Sequence, residues 1–241
     1  MDTTLNKKPH KFFKETVGNN LVSMSSFSKE INEGIKARTG YDMENAWKVK
    51  DEDGSRNIAM DSWHITYNIF TYEDESIQNI KSSIQKMIIE ACNYYGINHE
   101  EQKYMLKGHL NYYAGPKILN RKDIVWDNHG ENPLEFHGYY CVNAEPSVTY
   151  YQVDGSIVEN TNKNDVAVLS QNGYHHVVGD WPFEDVRITI GYNVFPLKTV
   201  PENQENIPAG TVVYGWDPKA QEYTSTTMLE EVPFGKWIPL F

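Results

Sequence analysis

The most regular hydrophobic pattern in the chain lies over residues 75–95. Ile77, Ile80, Ile84, Met87, Ile88, Ala91 and Tyr95 recur at three- and four-residue steps. That period predicts an amphipathic helix, and Gly96 supplies a left-handed stop. A helix with one apolar stripe must bury it against something flat, and a sheet is the expected surface. A shorter helix is expected from Ser28, with Ile31 and Ile35 one turn apart and Gly40 ending it. KDEDGSRN (50–57) is a polar turn cluster, and SWHITYNIFTY (62–72) alternates in part. The latter predicts a strand at an edge or in a supporting sheet. Residues 1–24 offer little beyond Phe12, Phe13 and Val17, which could cover a patch.

From about Tyr104 the period changes to two. HLNYYAG, DIVW, HGYYCVN, VTYYQVDGSIVEN, NDVAVLS, HHVV, RITIGYNVFPL and TVVYGWD follow one another. Each is short, aromatic or β-branched, and bounded by Gly, Asn, Asp or Pro. Short strands at regular spacing predict a sandwich, jelly roll or barrel. Asp154-Gly155 is a strong hairpin turn. PENQENIPAG (201–210) reads as a surface loop, and TVVYGWDPKAQEYTSTT as a further hairpin with its turn at DPK. The terminal FGKWIPLF is apolar and is expected to dock on the body.

Composition narrows the function classes. The 241 residues suit one domain with a sizeable core. A formal net charge of −11 repels phosphate backbones, so nucleic acid is not an expected partner. Two cysteines, Cys92 and Cys141, make no disulfide framework and no CxxC zinc site. No apolar run is long enough to span a bilayer, and the first residues lack the apolar core of a signal peptide. A cytoplasmic protein without a membrane partner is the expectation.

Candidate chemistry centres on residues 126–194. His129 and Glu131 are two apart, so an extended backbone points both to one face. A second His-x-Glu, His99/Glu101, follows the helix stop without strand context and reads as a solvated turn. The isolated motif is a weak signal. A distal histidine comes from the His175-His176 doublet, of which a strand turns only one inward. His137, with Glu135 beside it, reads rather as a satisfied strand histidine. Arg187 opens RITIGYNV, sharing a face with Thr189, and a buried arginine there needs an anion. Its plain alternative partner is Asp180 or Asp185. Two imidazoles and a carboxylate on one face of a metal, with positions left open, are the ligand set of non-haem Fe(II) oxygenases.

The order His129-x-Glu131, then His175-His176-Val177, then Arg187-x-Thr189 resembles the Fe(II)/2-oxoglutarate-dependent dioxygenases. The likeness is to the branch of prolyl hydroxylases and their phage-borne and microbial relatives. HGYYCVN is similar to the strand that follows the first ligand pair there. The resemblance covers roughly residues 104–197. It implies a mainly β fold, a double-stranded β-helix (jelly roll) core over 104–197, with residues 1–103 as a helical supporting region and 198–241 as a C-terminal extension. It implies Fe(II) on His129, Glu131 and His175, with His176 as the alternative. It further implies 2-oxoglutarate on Arg187 and Thr189, aided by Tyr139 or Tyr140, and O2 as oxidant. The activity would be hydroxylation of a peptidyl substrate, prolyl by analogy, or of a small molecule, releasing succinate and CO2. Two features depart from the pattern. Glu131 stands where Asp is usual, and the interval from His175 to Arg187 is long, which His176 would shorten. Competing readings are a non-catalytic β-sandwich binding or structural module, and a cupin-type metalloenzyme that does not use 2-oxoglutarate.

Overall fold

Nested strand pairing organises the chain from Tyr104 onward. In the computed structural model the described residues are 8–18, 20, 68–113, 126–182, 187–200, 202, 208–217, 222–227, 229, 231 and 235–241. Eleven strands are described: β1 (Phe13–Thr16), β2 (Tyr104–Tyr113), β3 (Phe136–Asn143), β4 (Ser147–Val153), β5 (Ser156–Asn162), β6 (Val166–Gln171), β7 (His175–Val178), β8 (Arg187–Pro196), β9 (Val212–Asp217), β10 (Glu222–Thr227) and β11 (Ile238–Pro239). The larger sheet runs β1-β6-β3-β8-β2-β11, the smaller β5-β4-β7, and β9-β10 form a separate hairpin. Every described pair is antiparallel: β2 with β8, β3 with β6, and β4 with β5. Asp127, ahead of β3, bridges His176 of β7. Each pair encloses the next along the chain. That nesting is the winding of a jelly roll, as a double-stranded β-helix.

The helix expected over 75–95 is α1 (Glu75–Tyr95). Asp74 caps it by accepting from the Ser76 N–H, and Gly96 ends it at φ 74°. A short turn of helix, α2 (His99–Gln102), follows. The α1 stripe packs with Leu106, Leu110, Phe136, Tyr140, Ile188, Ile190, Tyr192 and Val194 in one core. Alternation along the strands therefore gives the larger sheet an apolar face towards α1. Its other face carries His137, Tyr139 and Cys141 of β3 and Arg187, Thr189, Gly191 and Asn193 of β8. Gly138 is required where β3 meets its neighbours: a Cβ there would strike the Val168 carbonyl and the Tyr192 ring.

The hairpin at Asp154-Gly155 has φ of 47° and 77°, both positive as a tight hairpin demands. The C-terminal segment docks, with Leu240 fully buried and β11 on the edge of β2. Phe13 is buried on β1, which pairs with β6. One expectation fails in part. Residues 68–72, read as the end of a strand, form a 3-10 turn (Ile69–Thr71), because the Asn68 side chain caps it by accepting from the Phe70 N–H. Residues 62–67, the helix expected from Ser28, the 50–57 cluster, the DPK turn and most of the 201–210 loop lie outside the described residues. Among the described residues no helix is long and apolar enough to cross a membrane.

Candidate metal centre and inter-sheet pocket

Three imidazoles meet at one end of the space between the sheets. The ring centres of His129 and His137 are 4.6 Å apart, those of His129 and His176 4.8 Å, and those of His137 and His176 4.9 Å. Three different segments deliver them. His137 is on β3, His176 on β7, and His129 two residues past the Asp127 bridge that ties the segment to β7. Tyr151 of β4, the register partner of His176, stacks against it at 5.6 Å.

His137 is 3 % exposed and held from behind. Its Nδ1 lies 2.8 Å from Asn172 Oδ1. The Asn172 amide nitrogen donates to the His129 carbonyl at 2.7 Å and to Glu135 Oε2 at 3.3 Å, which fixes the amide's orientation. Because Asn172 presents its oxygen, His137 Nδ1 must carry the proton and Nε2 the lone pair. His137 Nε2 and His176 Nδ1 are both buried and make no hydrogen bond. Burial, reinforced by the neighbouring His129, pushes the His137 pKa down to about 3. Burial likewise holds His176 well below the ordinary value, with His137 and His129 adding to it. Both rings are therefore neutral, the form that ligates metal.

The far end of the space is polar and cationic. Arg187 is 1 % exposed, and its Nε donates to Ser147 Oγ at 3.3 Å. Ser147 Oγ also accepts from Asn162 at 2.9 Å and donates to the Ala144 carbonyl. Tyr139 donates to Asn162 Oδ1 at 2.7 Å and accepts from Asn160. Thr189 is buried beside Cys141 and Asn111 in register. Burial lifts the Cys141 thiol to about 11, with the Arg187 charge pulling partly back. These buried polar side chains bond to one another across the space between the sheets.

The sequence-derived residues fall unevenly on this site. His129 and His176 come together, and Arg187 and Thr189 share one buried face of β8. His175 sits opposite Gln152, an exposed position, and among the described residues enters no ring contact, so His176 is the inward member. Glu131 has an exposed side chain. Tyr140 faces α1, its hydroxyl 2.7 Å from the Asn20 carbonyl and from Asp165, while Tyr139 faces the pocket. His137, read as a satisfied strand histidine, is satisfied on one nitrogen only. Its sequence signal was the place it shares with Tyr139 on one face of β3. His99 and Glu101 lie on α2, with Glu101 exposed.

The donor chemistry fits a divalent transition metal: neutral imidazoles, one with its second nitrogen fixed by an amide. The three ring planes lie within 14–23° of one another, so the rings are stacked rather than fanned around a point. Among the described residues no group of three His, Cys, Asp or Glu side chains is placed so that it could hold a metal ion as the rings stand.

No protein-family model and no curated protein matches the chain. Solved structures similar to it include a prolyl-4-hydroxylase from Pseudomonas putida, at 7 % identity and TM-score 0.43, over 78 % of this chain and 88 % of that one. A prolyl hydroxylase from Trichoplax adhaerens, in complex with a hypoxia inducible factor oxygen degradation domain peptide fragment, is 16 % identical at TM-score 0.46, over 80 % and 86 %. HygX from Streptomyces hygroscopicus, with nickel and 2-oxoglutarate bound, is 10 % identical at TM-score 0.44, over 78 % and 83 %. Likeness at these scores leaves the fold to be read from the strand order and the site from its own residues.

Proposed function

We propose that the protein is an Fe(II)- and 2-oxoglutarate-dependent oxygenase that hydroxylates a peptidyl or small-molecule substrate. The observation that carries this reading is one inter-sheet space with neutral imidazoles at one end and a buried guanidinium at the other. Ser147, which Arg187 contacts, is four residues along β4 from Tyr151, the partner of His176. At the usual strand rise that separation is about 13 Å. A five-carbon dicarboxylate is shorter than that, and the remainder is taken up by its contact to an ion at one end and its hydrogen bonds to the guanidinium at the other.

In this reading His129 and His176 hold the metal, while Glu131, the carboxylate of the sequence pattern, has an exposed side chain. Bound iron and cosubstrate would supply the oxidative decarboxylation that releases succinate and CO2 and drives hydroxylation. The protein's part is positioning and shielding. Arg187 would grip the distal carboxylate with its planar fork, assisted by the Thr189 hydroxyl. The Asn160–Tyr139–Asn162–Ser147 hydrogen bonds keep that wall rigid. Asn172 holds the His137 ring and the His129 main chain together.

The test is anaerobic titration of the Fe(II)-loaded protein with 2-oxoglutarate, followed by succinate release in air. Arg187→Lys keeps the charge and loses the fork, so cosubstrate affinity should fall about 10–100-fold with iron retained. Absence of any 2-oxoglutarate response from iron-loaded wild-type protein would sink the proposal.

A further inference from the structure

We infer that His137 is a metal ligand, completing a three-imidazole set with His129 and His176, and that Glu131 stays outside the coordination shell. The inference deepens the metal centre proposed above and rests on that centre's taking up a metal. Three observations lead to it. The three ring centres are nearly equidistant, at 4.6–4.9 Å, so His137 is no further from either partner than they are from each other. Asn172 fixes the proton on His137 Nδ1 and leaves a buried lone pair on Nε2 with no hydrogen bond. His176 Nδ1 is likewise buried with no hydrogen bond.

A buried polar nitrogen without a partner is costly, and two neighbouring rings here each carry one. A cation between the rings would satisfy both, and it would draw the stacked planes apart into a fan. The amide behind His137 is the outer-shell partner that metal-bound histidines usually have. Glu131, by contrast, points to solvent. A charge count follows. Three neutral imidazoles leave a bound divalent ion its full 2+ charge, where a carboxylate would halve it. Such a centre should attract an anionic cosubstrate or substrate more strongly.

Untagged metal-free protein loaded with one equivalent of Cu(II) and examined by pulsed electron paramagnetic resonance counts coordinated imidazoles directly, without any variant. Three are expected; two would overturn the inference. Co(II) affinity, measured by calorimetry, gives a second arm. Glu131→Gln should change it by less than about threefold. His137→Gln should lower it by at least about 100-fold, more than an outer-shell change costs. The opposite ranking overturns the inference, and if His137→Gln does not fold, the wild-type imidazole count decides alone. Wild-type protein that binds no metal refutes this inference and the oxygenase together. Three imidazoles with no response to 2-oxoglutarate refute the oxygenase and leave the ligand set standing.

Discussion

Replacing Asn172 by alanine should loosen the centre from behind, with an effect that can be estimated. The side chain makes three hydrogen bonds: to His137 Nδ1 at 2.8 Å, to the His129 carbonyl at 2.7 Å and to Glu135 at 3.3 Å. Glu135 keeps a second partner, the Asn132 amide at 2.9 Å, so its loss is small. His137 Nδ1–H becomes a buried donor without an acceptor, which costs about 1–3 kcal/mol. The His129 carbonyl, on a partly exposed turn, contributes roughly 1 kcal/mol. The sum is about 2–4 kcal/mol, with the lower end applying if water enters the vacated space. For a chain of this length that corresponds to a fall in Tm of roughly 5–15 °C. Urea unfolding of the metal-free protein reads the free energy, and a calorimetric scan reads Tm. Metal affinity should fall about 10–100-fold in parallel. If Asn172→Ala stays within about 0.5 kcal/mol of wild type, the amide is not organising these rings and the tautomer assigned to His137 loses its basis.

Other perturbations probe separate parts of the structure. Ile84→Ala deletes a fully buried side chain between α1 and the larger sheet and should cost about 2–5 kcal/mol in urea unfolding; less than 1 kcal/mol would mean that the stripe is not the core. Gly138→Ala drives a methyl group into the Val168 carbonyl and the Tyr192 ring, and soluble yield and Tm should drop sharply, whereas an unchanged Tm would contradict the β3–β6 packing. His10, bonded to Ser170 and packed against Phe12 and Tyr174, is held down to about 4 by burial, with Asp154 raising it in part. The folded state thus binds fewer protons than the unfolded chain, whose histidine titrates near 6.5. Its share of stability is intact above pH 6.5 and declines as pH falls towards 4. His10→Gln should flatten that part of the profile in pH-dependent unfolding, and an identical slope would exclude the assignment.

Residue periodicity alone determined much of this protein. The three-and-four spacing of Ile77 to Tyr95 specified α1, since only one helical face could be buried. Asp154-Gly155 specified a hairpin, because both residues tolerate positive φ. Alternation in RITIGYNV placed Arg187 and Thr189 on one face, and both are buried. Alternation also dictated that only one of His175 and His176 could point inward, without saying which. The bridge to Asp127 and the register with Tyr151 decided for His176. In β3 both faces are buried, so local pattern could not tell the pocket side from the helix side. Tertiary pairing turned His137 and Tyr139 towards the smaller sheet and Tyr140 towards α1. The same holds for His137. Spacing made His129 and Glu131 neighbours along the chain, but neighbourhood in space follows from strand pairing. Pairing brought His137, eight residues on, against His129 while Glu131 remained exposed, since only the closed winding of the two sheets determines which distant side chains share one buried space.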